Sequence, residues 1–132
     1  MNYLDSSVII PALLERHPKY TACKPLVDRQ AVTSNHALAE SFSTLTGAYK
    51  VGNFEAAALL ATFARAVTLK EISTSIYLSV IEQSQARGVQ GGLIYDAIHA
   101  EIARRNKVVL LITYNVTNFY HVAPDLTVVA PD

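Results

Sequence analysis

Short apolar runs rich in β-branched residues alternate along the chain with longer segments of helical periodicity. The predicted strands are Asn2–Asp5, Ala31–Ser34, Val67–Ile72, Val108–Thr113 and Leu126–Val129. The fourth run is apolar almost throughout, which indicates a strand buried on both faces. Strands separated by helices favour a parallel sheet of the α/β class.

The predicted helices lie between these runs. Several begin just after serine, asparagine or glycine, residue types that cap helix N-termini. Pro11 is expected near the first turn of its helix, where a missing N–H costs least. No linker or repeat divides residues 1–132, so we expect a single domain. The helical segments are Val8–Glu15, an irregular stretch His17–Arg29, His36–Ala48, Phe54–Arg65, Ser73–Arg87 and Leu93–Arg105.

Composition excludes several classes of protein. The chain of 132 residues is 51% hydrophobic and has no net charge, which argues against intrinsic disorder. Its 11 basic and 11 acidic residues cancel, which argues against a polybasic protein that binds nucleic acid through charge alone. The single cysteine, Cys23, rules out an internal disulfide and suits a reducing compartment. Apolar runs are too short to span a bilayer, and the N-terminus lacks a basic signal region. We therefore expect a cytoplasmic protein without membrane contact.

Three acidic residues are the candidate site. Ligands of open parallel sheets bind beyond the carboxyl ends of the strands, where Asp5 and the helix carrying Glu40 are expected. Asp96 opens a late helix among small and apolar neighbours, where an unpaired charge is costly. Carboxylates brought together repel unless a cation intervenes, and Mg²⁺ and Mn²⁺ prefer such oxygen ligands. An ion held in this way can activate water and stabilise charge on a phosphate.

Each acid also has a plain structural interpretation. Asp5 can cap the helix that begins near Ser6, Glu40 can be a solvated helix position, and Asp96 can hydrogen-bond His99 one turn further on. The four histidines offer no pair spaced for zinc. The chain has no Gly-x-Ser-x-Gly elbow, which argues against a serine hydrolase of that type. It also lacks a phosphate loop and a dinucleotide fingerprint, which argues against the nucleotide-binding proteins that carry these motifs.

The order and spacing of the motifs resemble PIN-domain ribonucleases, in particular the VapC toxins of type II toxin–antitoxin pairs. The resemblance covers essentially the whole chain and implies a single PIN-like domain, a three-layer α/β/α sandwich around a parallel sheet. It also implies metal-dependent endoribonuclease activity. The motifs that carry it are Tyr3-Leu4-Asp5-Ser6-Ser7, Glu40, Tyr95-Asp96-Ala97 and Thr113-Tyr114-Asn115, with Phe119 shortly after.

The resemblance assigns roles to individual residues. Asp5, Glu40 and Asp96 match the three acidic positions of the family and would hold Mg²⁺ or Mn²⁺, while Ser7 matches the hydroxyl that supports the first acid. The family often carries a fourth acid in its last motif, where this chain has Asn115 and Asn118. A neutral carbonyl oxygen adds no charge, so a second ion would be held less tightly and one-metal operation is favoured. Asn115 is expected to support the site.

Substrate contacts must come from local patches, because the net charge is zero. Tyr114 and Tyr120 are candidates for stacking on unpaired bases. Two other functions remain open: a PIN-like module that binds RNA or protein without cutting, and a small metal-dependent phosphohydrolase. The candidate basic patches are Arg16, Lys19, Lys24 and Arg29 in one segment, and Arg104, Arg105 and Lys107 at a helix C-terminus, where basic residues are also favoured structurally.

The segment Phe54–Phe63 is rich in alanine and leucine and is apolar almost all round. Such a helix must be buried within the domain or against another chain. We expect part of it to lie at an interface, in a homodimer or against an antitoxin-like partner; the alternative is a central core helix. The resemblance points the same way, since VapC toxins commonly dimerise and are inhibited by a protein that reaches into the active site.

Overall fold

A computed structural model describes residues 1–132 and contains one five-stranded sheet in the order β3-β2-β1-β4-β5. All neighbouring strands are parallel. In the register, Tyr3 pairs with both Val32 and Leu111, and Leu111 pairs with Val128. The strands are β1 (Asn2–Leu4), β2 (Ala31–Ser34), β3 (Thr68–Lys70), β4 (Leu110–Ile112) and β5 (Val128–Val129).

Helices connect the strands and cover both faces of the sheet. A short 3₁₀ helix, Lys24–Leu26, directly follows the second α-helix. The α-helices are α1 (Ser6–Leu13), α2 (Tyr20–Cys23), α3 (Asn35–Gly47), α4 (Asn53–Ala66), α5 (Thr74–Glu82), α6 (Ser84–Arg87), α7 (Leu93–Arg105) and α8 (Val116–Val122).

The hydrophobic core has two halves, one on each face of the sheet, because successive strand side chains point to opposite faces. On one face Tyr3 and Leu111 pack with Ile102 of α7 and Phe119 of α8. On the other face the strand residues that follow them, Leu4 and Ile112, pack with residues of α1 and α4 that include Val8, Ile9 and Phe63. This arrangement confirms the predicted three-layer α/β/α sandwich around a parallel sheet.

Several local predictions need correction. Pro11 lies inside α1 rather than near its first turn, in a helix whose residues Val8–Ala12 are all buried. The predicted helix Ser73–Arg87 is divided into α5 and α6 at Gln83. Helix α8 was not predicted, because Val, Thr and Asn are weak helix formers; burial of Phe119 and Val122 holds it in place.

Helix α4 is an outer helix of the domain and not a central one. Only three of its 14 residues are buried, Ala56, Leu60 and Phe63. Phe54 at its N-terminal end is 90% exposed. The alternative of a central core helix is therefore wrong, and Phe54 with the neighbouring alanines Ala57, Ala58 and Ala61 remains uncovered in the single chain. No helix is long and apolar enough to cross a membrane.

Candidate active site

Asp5 lies where β1 ends and α1 begins, and it is 2% exposed. Its Oδ2 accepts hydrogen bonds from the Ser7 hydroxyl and from the Thr113 hydroxyl, each at 2.8 Å, and more weakly from the Ser7 N–H at 3.4 Å. Thr113 follows β4, the strand next to β1. Asp5 is thus the N-cap of α1, as the structural interpretation of its sequence position predicted. Hydrogen bonds from Ser7, just after β1, and from Thr113, just after β4, hold its carboxylate in place.

Glu40 of α3 reaches the same region through a buried histidine. His99 of α7, which is fully buried, donates from Nε2 to Glu40 Oε1 at 2.6 Å. Its other ring nitrogen, Nδ1, is hydrogen-bonded to the Tyr3 hydroxyl from β1. The same Nε2 lies 3.9 Å from Asp5 Oδ1. His99 therefore links the sheet, α3 and α7 at the carboxyl edge of the central strand.

Asp96 faces this group from the first turn of α7. Burial raises its pKa to about 6, and the negative charges of Asp5 and Glu40 act in the same direction, against His99 and the Asn118 side chain. The hydrogen bond from Asp96 to His99 considered from the sequence is absent, because Tyr3 and Glu40 engage both nitrogens of that ring. The ionised form of Asp96 is therefore disfavoured, first by burial and then by the neighbouring negative charges.

The two histidines near Glu40 differ in their electrostatics. Burial lowers the pKa of His99, but the hydrogen bond with Glu40 and the charges of Asp5, Glu40 and Asp96 outweigh it, and the net shift is upward. Burial lowers the pKa of His36, whose ring stacks on Tyr95 with centroids 5.4 Å apart. The Nε2 of His36 is 3.7 Å from Glu40 Oε1 and makes no hydrogen bond. Glu40 is therefore held by one histidine only.

The structure brings Asp5, Glu40 and Asp96 around His99, and it places Ser7 on Asp5 as the sequence suggested. Asn115 occupies the N-cap position of α8 without a capping bond from its side chain, and its backbone N–H donates to the Thr113 hydroxyl at 2.9 Å. The asparagine side chain that acts on Asp96 is that of Asn118.

Sequence reasoning missed three positioning residues. Thr113 is expected at a strand end from the sequence, but the hydrogen bond from its hydroxyl to Asp5 Oδ2 is not. His99 was seen one turn after Asp96 but was paired with the wrong acid. Tyr3 belongs to the first motif of the resemblance, but nothing in the sequence indicates its hydrogen bond with His99.

The donor set suits a hard divalent cation. The Ser7 and Thr113 hydroxyls both donate to Oδ2 of Asp5. Burial and the neighbouring carboxylates disfavour the negative charge of Asp96, and a bound cation would offset this cost. Glu40 is engaged by His99. No group of three His, Cys, Asp or Glu side chains already converges on one ion position. The residues that fit a cation best are Asp5 and Asp96, with Glu40 nearby.

The basic patches proposed from the sequence differ in their surroundings. Arg104 bonds Asp125 at 2.7 Å and Arg105 bonds Glu101 at 2.9 Å, so these two end the helix in ion pairs, which supports their structural interpretation. Lys19 pairs with Asp132 at 2.6 Å and also lies 5.8 Å from the ring centre of Tyr114. Of these side chains, Lys19 is therefore the one that lies beside a residue of the last motif.

Comparison with known proteins gives a consistent result. A family model described as PIN domain matches residues 3–124. Ribonuclease VapC27 of Mycobacterium tuberculosis is 32% identical over 112 residues, which are 81% of this chain and 80% of that protein. The resemblance stated from the motifs is therefore confirmed.

Solved structures show the same fold. The VapC20 toxin of Mycobacterium tuberculosis, described as cleaving the sarcin-ricin loop, aligns with a TM-score of 0.73 at 15% identity over 96% of this chain and 97% of that one. A toxin–antitoxin complex from Klebsiella pneumoniae aligns with a TM-score of 0.69 at 20% identity over 100% of this chain and 98% of that one.

Proposed function

The chain belongs to the PIN domain family, and from this premise we propose that it is a Mg²⁺- or Mn²⁺-dependent endoribonuclease of the VapC toxin type. The observation that carries the proposal is the approach of Asp5, Glu40 and Asp96 to one buried histidine at the carboxyl edge of the sheet. A relative named as a ribonuclease supports the choice of RNA as substrate.

In this proposal the chain's own residues prepare the site before any substrate arrives. Ser7 and Thr113 hold Asp5 through Oδ2, and His99 holds Glu40 through Oε1. Ser7 lies in α1, His99 lies in α7, and the buried Thr113 directly follows β4, so the packed core holds the acids in place, which is the condition for preorganised catalysis. A cation bound by Asp5 and Asp96 would supply a Lewis acid for a water and for the phosphate oxygens.

Asn115 and Asn118 occupy the region where a fourth acid is often found in the family. Asn118 acts on Asp96 through its side chain and lowers the pKa of that carboxyl, so it favours the ionised ligand without adding charge. This supports operation with one ion. We keep Asp5, Glu40, Asp96, Ser7 and Asn115 as the functional set and add Thr113 and His99 as positioning residues.

Association with other chains is part of the proposal. The exposed Phe54 and the outer face of α4 give an apolar surface for a homodimer or for an antitoxin-like protein. Structures of toxin–antitoxin complexes share the fold, among them VapBC2 from Rickettsia felis with a promoter DNA fragment, at a TM-score of 0.67. We place the protein in the cytoplasm, where its RNA substrate is found.

Incubation of the purified protein with total RNA tests the proposal. We expect discrete fragments with Mn²⁺, none with a chelator, and none from Asp5→Asn. Asp28→Asn is the matched control, because Asp28 is exposed and asparagine can keep its turn-forming bond to the Gln30 N–H. RNA that is bound but left intact would favour a non-cleaving module. Preference for a small phosphate ester would favour a phosphohydrolase.

A further inference from the structure

A cavity of about 370 Å³ opens directly beside the candidate active site. Residues of α1, Ser7 among them, and Thr44 in the C-terminal half of α3 contribute to its lining. The same Ser7 hydroxyl donates to Asp5 Oδ2 at 2.8 Å and accepts from the Tyr114 N–H at 2.9 Å. One serine therefore belongs to the wall of this cavity and to the support of the acid.

Aromatic rings line the cavity on two sides. His17 and Tyr49 pack against each other with centroids 5.9 Å apart, and Tyr49 is 45% exposed. Tyr114 is restrained by its hydroxyl, which donates to Asp132 at 2.8 Å, and its backbone N–H donates to Ser7. Lys19 Nζ lies over its ring, 5.8 Å from the centre. A ring held in this way loses little further side-chain freedom when a base stacks on it.

The rest of the lining is mainly polar. Ser6 and Thr44 supply hydroxyl groups, and Lys19 supplies a positive charge at the rim. Asp132 neutralises part of that charge through its ion pair with Lys19. Stacking and hydrogen bonding, more than charge, are therefore the interactions this cavity offers. Its volume lies in the range of ~300–1,000 Å³ that small-molecule sites usually have.

We propose that this cavity is a nucleotide pocket that takes one unpaired base of the RNA next to the cleaved phosphodiester, with Tyr49 and Tyr114 as its stacking residues. Unpaired bases are recognised by stacking on aromatic side chains and by hydrogen bonds to their edges, and the lining offers both. A peptide of a partner protein fits less well, because Ile10 and Pro11 are the only aliphatic residues among the lining.

The proposal of a base pocket rests on the proposed nuclease function, and the pocket would determine which RNA sequences the nuclease prefers. Because Ser7 joins the pocket to Asp5, the base in the pocket and the phosphate at the acids belong to neighbouring positions of one strand. The preferred cut site would then depend on which base the pocket accepts. Tyr120, the other tyrosine considered from the sequence, is 57% exposed on α8 and does not line the cavity.

Binding of a short single-stranded RNA that carries 2-aminopurine at one position at a time tests the pocket. Titrations in a chelator keep the readout independent of cleavage. We expect strong quenching at one position with the wild-type protein, a loss of about five- to twentyfold in affinity with Tyr49→Ala, and near wild-type affinity with Tyr49→Phe. Leu78→Ala, an exposed apolar position on α5 outside the lining, is the control and should bind as the wild type does.

The outcomes separate the pocket from the proposed function. If the wild-type protein cuts RNA and Tyr49→Ala changes neither affinity nor quenching, the pocket is wrong and the nuclease stands. If quenching follows the prediction but no RNA is cut with Mn²⁺, the pocket stands and the nuclease is wrong. A Tyr49→Ala variant that binds RNA normally but loses its protein partner would assign the cavity to that partner and overturn the proposal.

Discussion

Replacing Asp96 by asparagine removes a negative charge from the site while keeping the shape of the side chain. The pKa of Asp96 is raised from its usual value of 3.8 to about 6, first by burial and then by the charge of Asp5. The ionised carboxylate is therefore less favourable in the folded protein than in the unfolded chain. Asp96→Asn should relieve this cost wherever the wild-type residue is ionised.

The magnitude follows from the shift. About two pKa units correspond to about 3 kcal/mol at 1.36 kcal/mol per unit. Asp96 is only half-buried, so solvent screening reduces the effect, and we expect about 1–1.5 kcal/mol. For a chain of this length, that gain raises the melting temperature by about 3–6 °C.

The sign with pH is fixed by the direction of the shift. Between pH 3.8 and about 6 the folded protein binds more protons at Asp96 than the unfolded chain does, so this contribution to stability falls as the pH rises. Below this window the carboxyl is neutral in both states and the cost vanishes. The advantage of Asp96→Asn should therefore be nearly complete above pH 6, small near pH 3.8 and absent well below it.

Urea denaturation of both proteins at pH 7.5 and at pH 4 measures the difference directly, with unchanged slopes as the sign of a simple stability effect. Addition of Mn²⁺ at pH 7.5 should then stabilise the wild type and not Asp96→Asn, because a ligand stabilises the state that binds it. Equal midpoints at pH 7.5, or the same offset at both pH values, would refute the electrostatic argument.

Three further predictions concern the neighbourhood of the site and the surface. Asn115→Asp should tighten Mn²⁺ binding in titration calorimetry by adding an anionic oxygen, and an unchanged affinity would put this residue outside the ion's reach. Thr113→Val should lower the free energy of unfolding by about 1–3 kcal/mol and slow RNA cleavage, because it leaves Asp5 Oδ2 short of a donor; wild-type values in both assays would contradict this role. Light scattering at tens of micromolar should give a dimer for the wild type and a smaller mass for Phe54→Ser, and a monomeric wild type would rule out the homodimer.

Local chemistry made part of the site predictable. Asp5 follows an apolar run and precedes a helix, and the structure places it at that junction. The start of α7 follows from the two glycines before it, so Asp96 is expected near the beginning of that helix, and the structure places it in the first turn. In both cases the deciding information lies within a few residues of the acid.

The links between the acids depend on contacts that no local pattern contains. The Tyr3–His99 and His99–Glu40 hydrogen bonds join residues 96 and 59 positions apart in the chain. Choosing the partner of His99 needs the distance between α3 and α7, which only packing on the sheet sets. Helix α8 was missed for a similar reason, since burial of Phe119 and not helix propensity stabilises it.

The most direct measurement is the single-turnover cleavage rate of one defined single-stranded RNA, taken with Mn²⁺ and with a chelator, for the wild type and for Asp5→Asn. Circular dichroism of both proteins checks that the substitution leaves the fold intact. We expect cleavage by the wild type with Mn²⁺ and a background rate under the other three conditions. Cleavage in the chelator, or cleavage by folded Asp5→Asn at the wild-type rate, would contradict a cation-dependent nuclease built on Asp5.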